Sequence, residues 1–284
     1  MLKKIFFAAA LLLASELGAK PVVIASIAPV EYLAKAVGGD KIEVQSLAKG
    51  DVHSYEPKPN DMKAVAKARI FIAAGLEFEE AWIPRFKASA KNLVVVKSDA
   101  KIAKLKEERG EQVEHDEKHE AHADPHVWLN PMLAITMARN ISDALIDMDK
   151  ANKDFYLENF QKLMNDLLAF DESAKNELAG LKNRKFVVYH PAWGYFAAHY
   201  DLEQISIERS GKEPKIDEMA STLKMIKDEN IKVIFADPNR SQKSAQILAS
   251  QTGAKVELLD PLGYNLLENL KIAVGAIKDA NSPK

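Results

Sequence analysis

The chain has 284 residues, 47% of them hydrophobic and 28% charged, with a formal net charge of −2 and no cysteine. That length accommodates one large domain or two ordinary ones, with enough apolar material for packed cores. The missing cysteines exclude thiolate zinc fingers, iron–sulfur clusters, a thiol nucleophile and a lipid-modified cysteine anchor, and the near-neutral charge offers no basic face for nucleic acid.

The N-terminus reads as an address. Lys3 and Lys4 precede an unbroken apolar run of nine residues, Ile5 to Leu13, and Leu17-Gly18-Ala19 supplies a cleavage site before Lys20. Nine residues are too few to span a bilayer, which takes about 20 in a helix. Residues 1–19 are therefore expected to be a cleaved signal peptide, with the mature protein free in a periplasm.

From Pro21 the pattern alternates. PVVIASI (21–27) reads as a strand, 31–37 as a helix stopped by Gly38-Gly39, and KIEVQSL (41–47) as a second strand. A helix over 60–68, a strand ARIFIA (68–73), a helix over 79–90 and a strand NLVVV (92–96) follow. The alternation predicts a parallel sheet covered on both faces. It breaks at 107–124, which carries eight acidic residues and almost no large apolar side chain, and reads as a surface loop. Helical spacing returns after Asn130-Pro131. Between 152 and 181, Tyr156, Phe160, Leu163, Leu167, Phe170, Ala174, Leu178 and Leu181 recur every three or four residues, the apolar face of one long helix. Beyond it the alternation restarts: strands over 185–189, 204–207, 232–236 and 255–259, and helices over 193–199, 217–229, 241–251 and 265–278. The expected fold is α/β: two lobes, each a mostly parallel sheet flanked by helices, joined by one long linker helix. The boundaries are 20–150 for the N-terminal lobe, 151–182 for the linker and 183–284 for the C-terminal lobe. No convincing sequence repeat relates the lobes.

Of the seven histidines, four lie between 115 and 126. His53, in Gly50-Asp51-Val52-His53-Ser54-Tyr55-Glu56-Pro57, His126, close to the end of the acidic loop, and His190, directly after KFVVY, all read as lying just past the carboxyl ends of strands. Open α/β sheets bind ligands past the carboxyl ends of their strands. The three could converge between the lobes as imidazole ligands, or each could be a hydrogen-bonded loop residue. His199 lies on an amphipathic helix and reads as structural or exposed.

The string Asp124-Pro125-His126-Val127-Trp128-Leu129-Asn130-Pro131 resembles the signature of the periplasmic metal-binding proteins of ABC transporters, in their zinc-uptake branch. Gly50–Pro57, His190-Pro191-Ala192-Trp193-Gly194-Tyr195-Phe196 and Leu258-Leu259-Asp260-Pro261-Leu262-Gly263 resemble other ligand loops of that family, in the family's order. Val52 and Pro191 depart from the residues common there. The resemblance implies two α/β lobes around a metal cleft, with His53, His126 and His190 as ligands and Asp260 at the position of a carboxylate ligand. It also implies a Zn2+ cargo, delivery to a membrane permease with its cytoplasmic ATPase, and a monomer that is not an enzyme. His115, His119 and His122 in the acidic loop would be auxiliary, weak zinc ligands. The relatives that bind manganese tend to use two histidines and two carboxylates, and imidazole suits zinc. The alternatives are a manganese-binding transport component, a zinc-dependent hydrolase (a three-histidine site with Glu56 or Glu208 nearby, but with no H-E-x-x-H motif) and a zinc-buffering or adhesion protein. Protons compete for imidazole, so affinity is expected to fall as pH drops through the histidine range.

Overall fold

A computed structural model describes residues 20–106, 123–208 and 216–281. The expected signal peptide and His115, His119 and His122 lie outside the described residues.

The N-terminal half runs β1 (Val22–Ala25), α1 (Ala28–Gly38), β2 (Glu43–Ser46), α2 (Pro59–Val65), β3 (Ile70–Ala73), α3 (Glu77–Ser89), β4 (Val94–Lys97) and α4 (Pro131–Met148). The linker is α5 (Lys153–Leu178). The C-terminal half runs β5 (Lys185–Val188), α6 (Gly194–His199), β6 (Glu203–Ser206), α7 (Ile216–Asp228), β7 (Val233–Ala236), α8 (Lys243–Thr252), β8 (Lys255–Leu258) and α9 (Leu266–Asn281). Every predicted strand and helix has its counterpart here. The two sheets are four-stranded, with orders β2-β1-β3-β4 and β6-β5-β7-β8, and all their strand pairings are parallel. The lobes thus repeat one topology that the sequence does not display. In each sheet the winding direction reverses between the two central strands, where α/β sheets open a crevice at their carboxyl edge.

Central strands are apolar on both faces, as covered parallel strands must be: β3 (IFIA) and β7 (VIFA) are buried throughout. The edge strand β2 (EVQS) alternates exposed and half-buried residues. Helix α1 begins three residues before the predicted start, because Pro29 fits the first turn, where its missing N–H costs nothing. It ends at Gly39, whose φ of +55° favours glycine, and a Cβ there would meet the Phe155 ring at 2.8 Å. Asn130 caps α4, its Oδ1 accepting from the N–H groups of Met132 and Leu133 at 2.9 and 3.2 Å.

Helix α5 has 26 residues, so it reaches about 39 Å at 1.5 Å per residue. Its buried face is the predicted one, Tyr156 to Leu178, with Asp171 added. The same apolar cluster holds Val23, Ile24 and Phe71 of the first lobe, Leu163 and Leu167 of α5, Leu270, Val274 and Ile277 of α9, and Phe186, Phe196 and Phe235 of the second lobe. A separate, smaller cluster around Val187, Ile234 and Leu248 covers another part of the second sheet. Hinging the lobes apart would break the shared cluster, and exposing one Leu or Phe costs roughly 1.5–3 kcal/mol. His199 has a structural place here: its Nε2 lies 2.6 Å from Asp171 Oδ1, while Lys175 Nζ donates to Asp171 Oδ2 at 2.7 Å, tying α6 to α5.

Candidate metal site

Three loops bring His53, His126 and His190 together. The ring centroids of His53 and His126 are 5.4 Å apart, those of His53 and His190 4.9 Å, and those of His126 and His190 5.3 Å. One ring nitrogen from each lies within 4.8 Å of the others. A tetrahedral zinc with bonds of about 2.05 Å spaces its ligand nitrogens at about 3.3 Å, so each pair need close by at most about 1.5 Å.

Each ring is fixed differently. His53 sits in the loop after β2, where Asp51 Oδ1 accepts from its backbone N–H at 3.1 Å and Asp51 Oδ2 from Ser54 Oγ at 3.1 Å. His126 does not follow a strand directly. It precedes a single 3-10 turn, Val127–Leu129, that leads into α4. Asp124 Oδ1 accepts both from the His126 backbone N–H at 2.9 Å and from its Nδ1 at 2.7 Å. A carboxylate only accepts, so Nδ1 carries the proton and Nε2 is left with its lone pair. His190 follows β5; its Nδ1 is 3.1 Å from Glu208 Oε2 and 2.7 Å from Arg240 Nη1. The Nε2 atoms of His53 and His190 are buried and have no hydrogen-bond partner among the described residues. Buried, unpartnered nitrogens are costly unless something else engages them, and a divalent cation would.

The His126 segment is held by both lobes. Tyr195 Oη of α6 accepts from the Leu105 N–H at 2.7 Å and donates to the Asp124 carbonyl at 2.8 Å. Trp128 Nε1 donates to the Pro261 carbonyl at 2.8 Å. The Trp128 ring also stands edge-on to His126 at 5.3 Å.

Burial, and then crowding, keep the His53 and His190 rings neutral. His53 is pushed down to about 3, first by burial and then by His126, His190 and Arg240, with Asp51 opposing. His190 is lowered well below the ordinary histidine value by burial, then by His126 and Arg240. Burial raises Glu208 above the usual carboxylate range, against the pull of Arg240 and His53. Neutral imidazoles are what a metal needs.

Asp260, placed fourth by the resemblance, is not brought into the cluster of ligating atoms. Its Oδ1 accepts from Asn239 Nδ2 and from the Leu262 N–H, both at 2.8 Å, which fixes the turn after β8. The carboxylates that do support the triad are Asp51, Asp124 and Glu208. Asp124 was visible two residues before His126 in the sequence. Arg240 could have been found by extending the strand-end rule to β7.

The family described as ZnuA, zinc-uptake complex component A, periplasmic, matches residues 23–280. The chain belongs to the ZnuA family. It is 30% identical over 284 residues to the high-affinity zinc uptake system protein ZnuA of Bacillus subtilis (strain 168), covering 93% of this chain and 88% of that one. A crystal structure of ZnuA superposes with a TM-score of 0.87 at 35% identity, covering 93% of this chain and 100% of that one. A zinc-bound deletion mutant of ZnuA gives 0.85 at 34%, with 93% and 99% covered. The two-lobed α/β fold expected from the ZnuA-like motifs is therefore present. Among the described residues, no helix is long and apolar enough to cross a membrane.

Proposed function

We propose that this protein is a periplasmic zinc carrier, which captures Zn2+ between its lobes and delivers it to an ABC-type permease driven by a cytoplasmic ATPase. The observation that carries this reading is the triad itself: three imidazoles from three loops, two of them with buried, unpartnered Nε2 atoms. An all-imidazole donor set favours zinc over manganese, which takes harder oxygen ligands. His53, His126 and His190 are the proposed ligands, with the fourth position left to solvent and Asp260 acting on the loop beside it. His115, His119 and His122 are proposed as weak, auxiliary ligands, on the strength of the acidic sequence around them. Residues 1–19 are proposed as a cleaved signal peptide, and 20–150, 151–182 and 183–284 as lobe, linker and lobe of a monomer.

Transport is favoured over zinc hydrolysis by the state of Glu208, the acid nearest to a general-base position. One of its oxygens faces His190 Nδ1 and the other lies 3.2 Å from Arg240 Nη2. A general base needs a free oxygen aimed at the metal-bound water.

The test is elemental analysis of untagged protein purified without added metal, followed by zinc titration of the wild type and of His53→Ala, His126→Ala and His190→Ala. One tightly bound zinc, lost or greatly weakened in each variant, is the expected result. Predominant manganese, or tight zinc binding that survives all three substitutions, would overturn the reading.

A further inference from the structure

The net charge of −2 hides an uneven distribution. All four strands of the first sheet run parallel, so their amino ends share one edge, opposite the carboxyl edge. A basic residue stands just before each strand: Lys20 before β1, Lys41 before β2, Arg69 before β3 and Lys91 before β4. Helices α2 and α3 pack together on one face of that sheet and end at the same edge. They add Lys63, Lys67 and Lys87. Lys41 packs over the Phe155 ring at 5.4 Å. The other six are exposed, and none of them forms an ion pair among the described residues. Glu43 is the acid that shares the shallow groove between β2 and α2 with Lys63 and Lys67. On the other face of the sheet, where α4 ends and α5 begins, the charges are mixed: Asp147, Asp149, Lys150, Lys153 and Asp154.

Part of this has a local cause. A helix C-terminus carries partial negative charge and favours a nearby cation, which accounts for Lys63 and Lys87. It does not account for Lys20, Arg69 and Lys91, which precede strands. The second lobe supplies the comparison, because it repeats the topology. At its matching edge Lys185 Nζ lies 2.9 Å from Glu229 Oε1 and Arg184 Nε lies 3.4 Å from Asp201 Oδ2, while Lys232 bonds to Asn230. The same edge is thus largely paired in one lobe and left positive in the other. Neighbouring strands are about 4.8 Å apart, so four strand entries span about 14 Å. Adjacent charges lie within the Debye length of about 10 Å at 0.1 M salt, so their fields add.

We propose that this corner of the first lobe is a docking face for an anionic phospholipid surface. It goes beyond the zinc reading and does not depend on it. Helices α2 and α3 present their carbonyl ends here, so an anion is held by side-chain charge alone and not by the N–H groups that seat a discrete phosphate. Most of these charges are lysine ammoniums, compact point charges on flexible stems, rather than the planar guanidinium forks that fix register on a nucleic acid. A layer of anionic headgroups makes no demand on register, and each Lys or Arg near it strengthens partitioning by about fivefold. Docking by the amino edge leaves the carboxyl edge, with the His53 and His126 loops, turned away from the lipid.

The test is co-sedimentation of the chain from Lys20 onward, without the apolar run Ile5 to Leu13, with sucrose-loaded vesicles of phosphatidylcholine alone or mixed with phosphatidylglycerol. At about 0.05 M NaCl the protein should sediment with the mixed vesicles and not with phosphatidylcholine, and about 0.5 M NaCl should release it. Lys63→Ser, Lys67→Ser, Lys87→Ser and Lys91→Ser together should weaken partitioning by at least about tenfold. A control with the same change in net charge, Lys185→Ser, Lys224→Ser, Lys232→Ser and Lys255→Ser in the second lobe, should stay within about threefold of wild type. Absence of the wild type from the mixed-vesicle pellet at low salt overturns the proposal without any variant needing to fold. Equal losses in the two quadruple variants also overturn it, since only net charge would then matter. Tighter binding to duplex DNA than to mixed vesicles at equal phosphate overturns the choice of lipid and makes the face a nucleic-acid site.

Discussion

Lowering the pH should destabilise the metal-free protein through His53. Burial, and then the positive forms of its neighbours, hold this ring down to about 3 from an ordinary value of 6.5. Below pH 6.5 the unfolded chain takes a proton there that the folded chain refuses. The contribution to stability is complete above 6.5 and is lost as pH falls from 6.5 towards 3. Between pH 7 and pH 5, His53 alone accounts for a loss of about 2 kcal/mol. His190 is depressed for the same reason and adds to the loss. Glu208 and Asp237 are raised by burial and work the other way, gaining stability as they protonate. A variant therefore isolates the His53 share. Urea denaturation of the wild type and of His53→Gln at both pH values should show the wild type losing about 2 kcal/mol more than the variant between pH 7 and pH 5. Parallel losses would refute the idea that packing keeps the ring neutral. The same shifts move the expected pH window for zinc. His53 and His190 hold no proton for zinc to displace over much of the ordinary histidine range, so affinity measured on folded protein should fall less steeply between pH 7 and pH 5 than three ordinary histidines would give.

Three further outcomes follow from individual side chains. Asp124→Asn removes the carboxylate that fixes His126 in its metal-ready tautomer and should weaken zinc binding about 10–100-fold in a competition titration; a change below twofold would show that the contact does not orient the ring. Asp260→Ala should leave zinc affinity within about threefold of wild type while lowering stability by about 1–3 kcal/mol, because it strands the Asn239 and Leu262 donors; a large loss of affinity would make Asp260 a ligand. Deleting 107–122 should leave the tight equivalent of zinc in calorimetry and remove only weaker ones, and loss of the tight site would contradict an auxiliary role for those histidines.

Much of the fold and of the triad is legible in the sequence because it is local. The three-and-four spacing of Tyr156, Phe160, Leu163 and Leu167 is enough to name the buried face of α5, and Asn130-Pro131 marks the start of α4. The three histidines can be shortlisted because two follow strands and one closes an unusual loop. What cannot be read is the pairing of residues distant in sequence. Nothing near His190 announces that Glu208 and Arg240 compete for its Nδ1, or that Tyr195 of the second lobe clamps Asp124 of the first. The repeated strand order is hidden for a related reason: a parallel sheet constrains only burial, so β1 (VVIA) and β5 (KFVV) satisfy the same position with different residues. Asp260 shows the converse, since the motif marks a carboxylate whose Oδ1 the local turn engages through Asn239 and Leu262.

The shared core bears on how a carrier of this shape would let its cargo go. Opening the lobes as rigid bodies would expose Leu167, Phe196 and Val274 together, so release is cheaper through one ligand loop. His126 and His190 are buried and sit on segments tied across the lobes, by Trp128 to Pro261 and by Tyr195 to Leu105 and Asp124. His53 is only partly buried, and the Gly50 that leads into its loop has a φ of +81° with no atom within 4 Å of the position a Cβ would take. Its hydrogen bonds to Asp51, the residue that Arg240 also reaches, lie within the loop, while Val52 is buried and Tyr55 donates to Leu47 and Asp61 at its end. The movable ligand is therefore His53. Amide hydrogen exchange should show residues 50–55 exchanging fast without zinc and protected with it, while 126–130 stay slow in both states. Equal protection of the two segments would mean that the site opens as a whole, against the cost set by the common core.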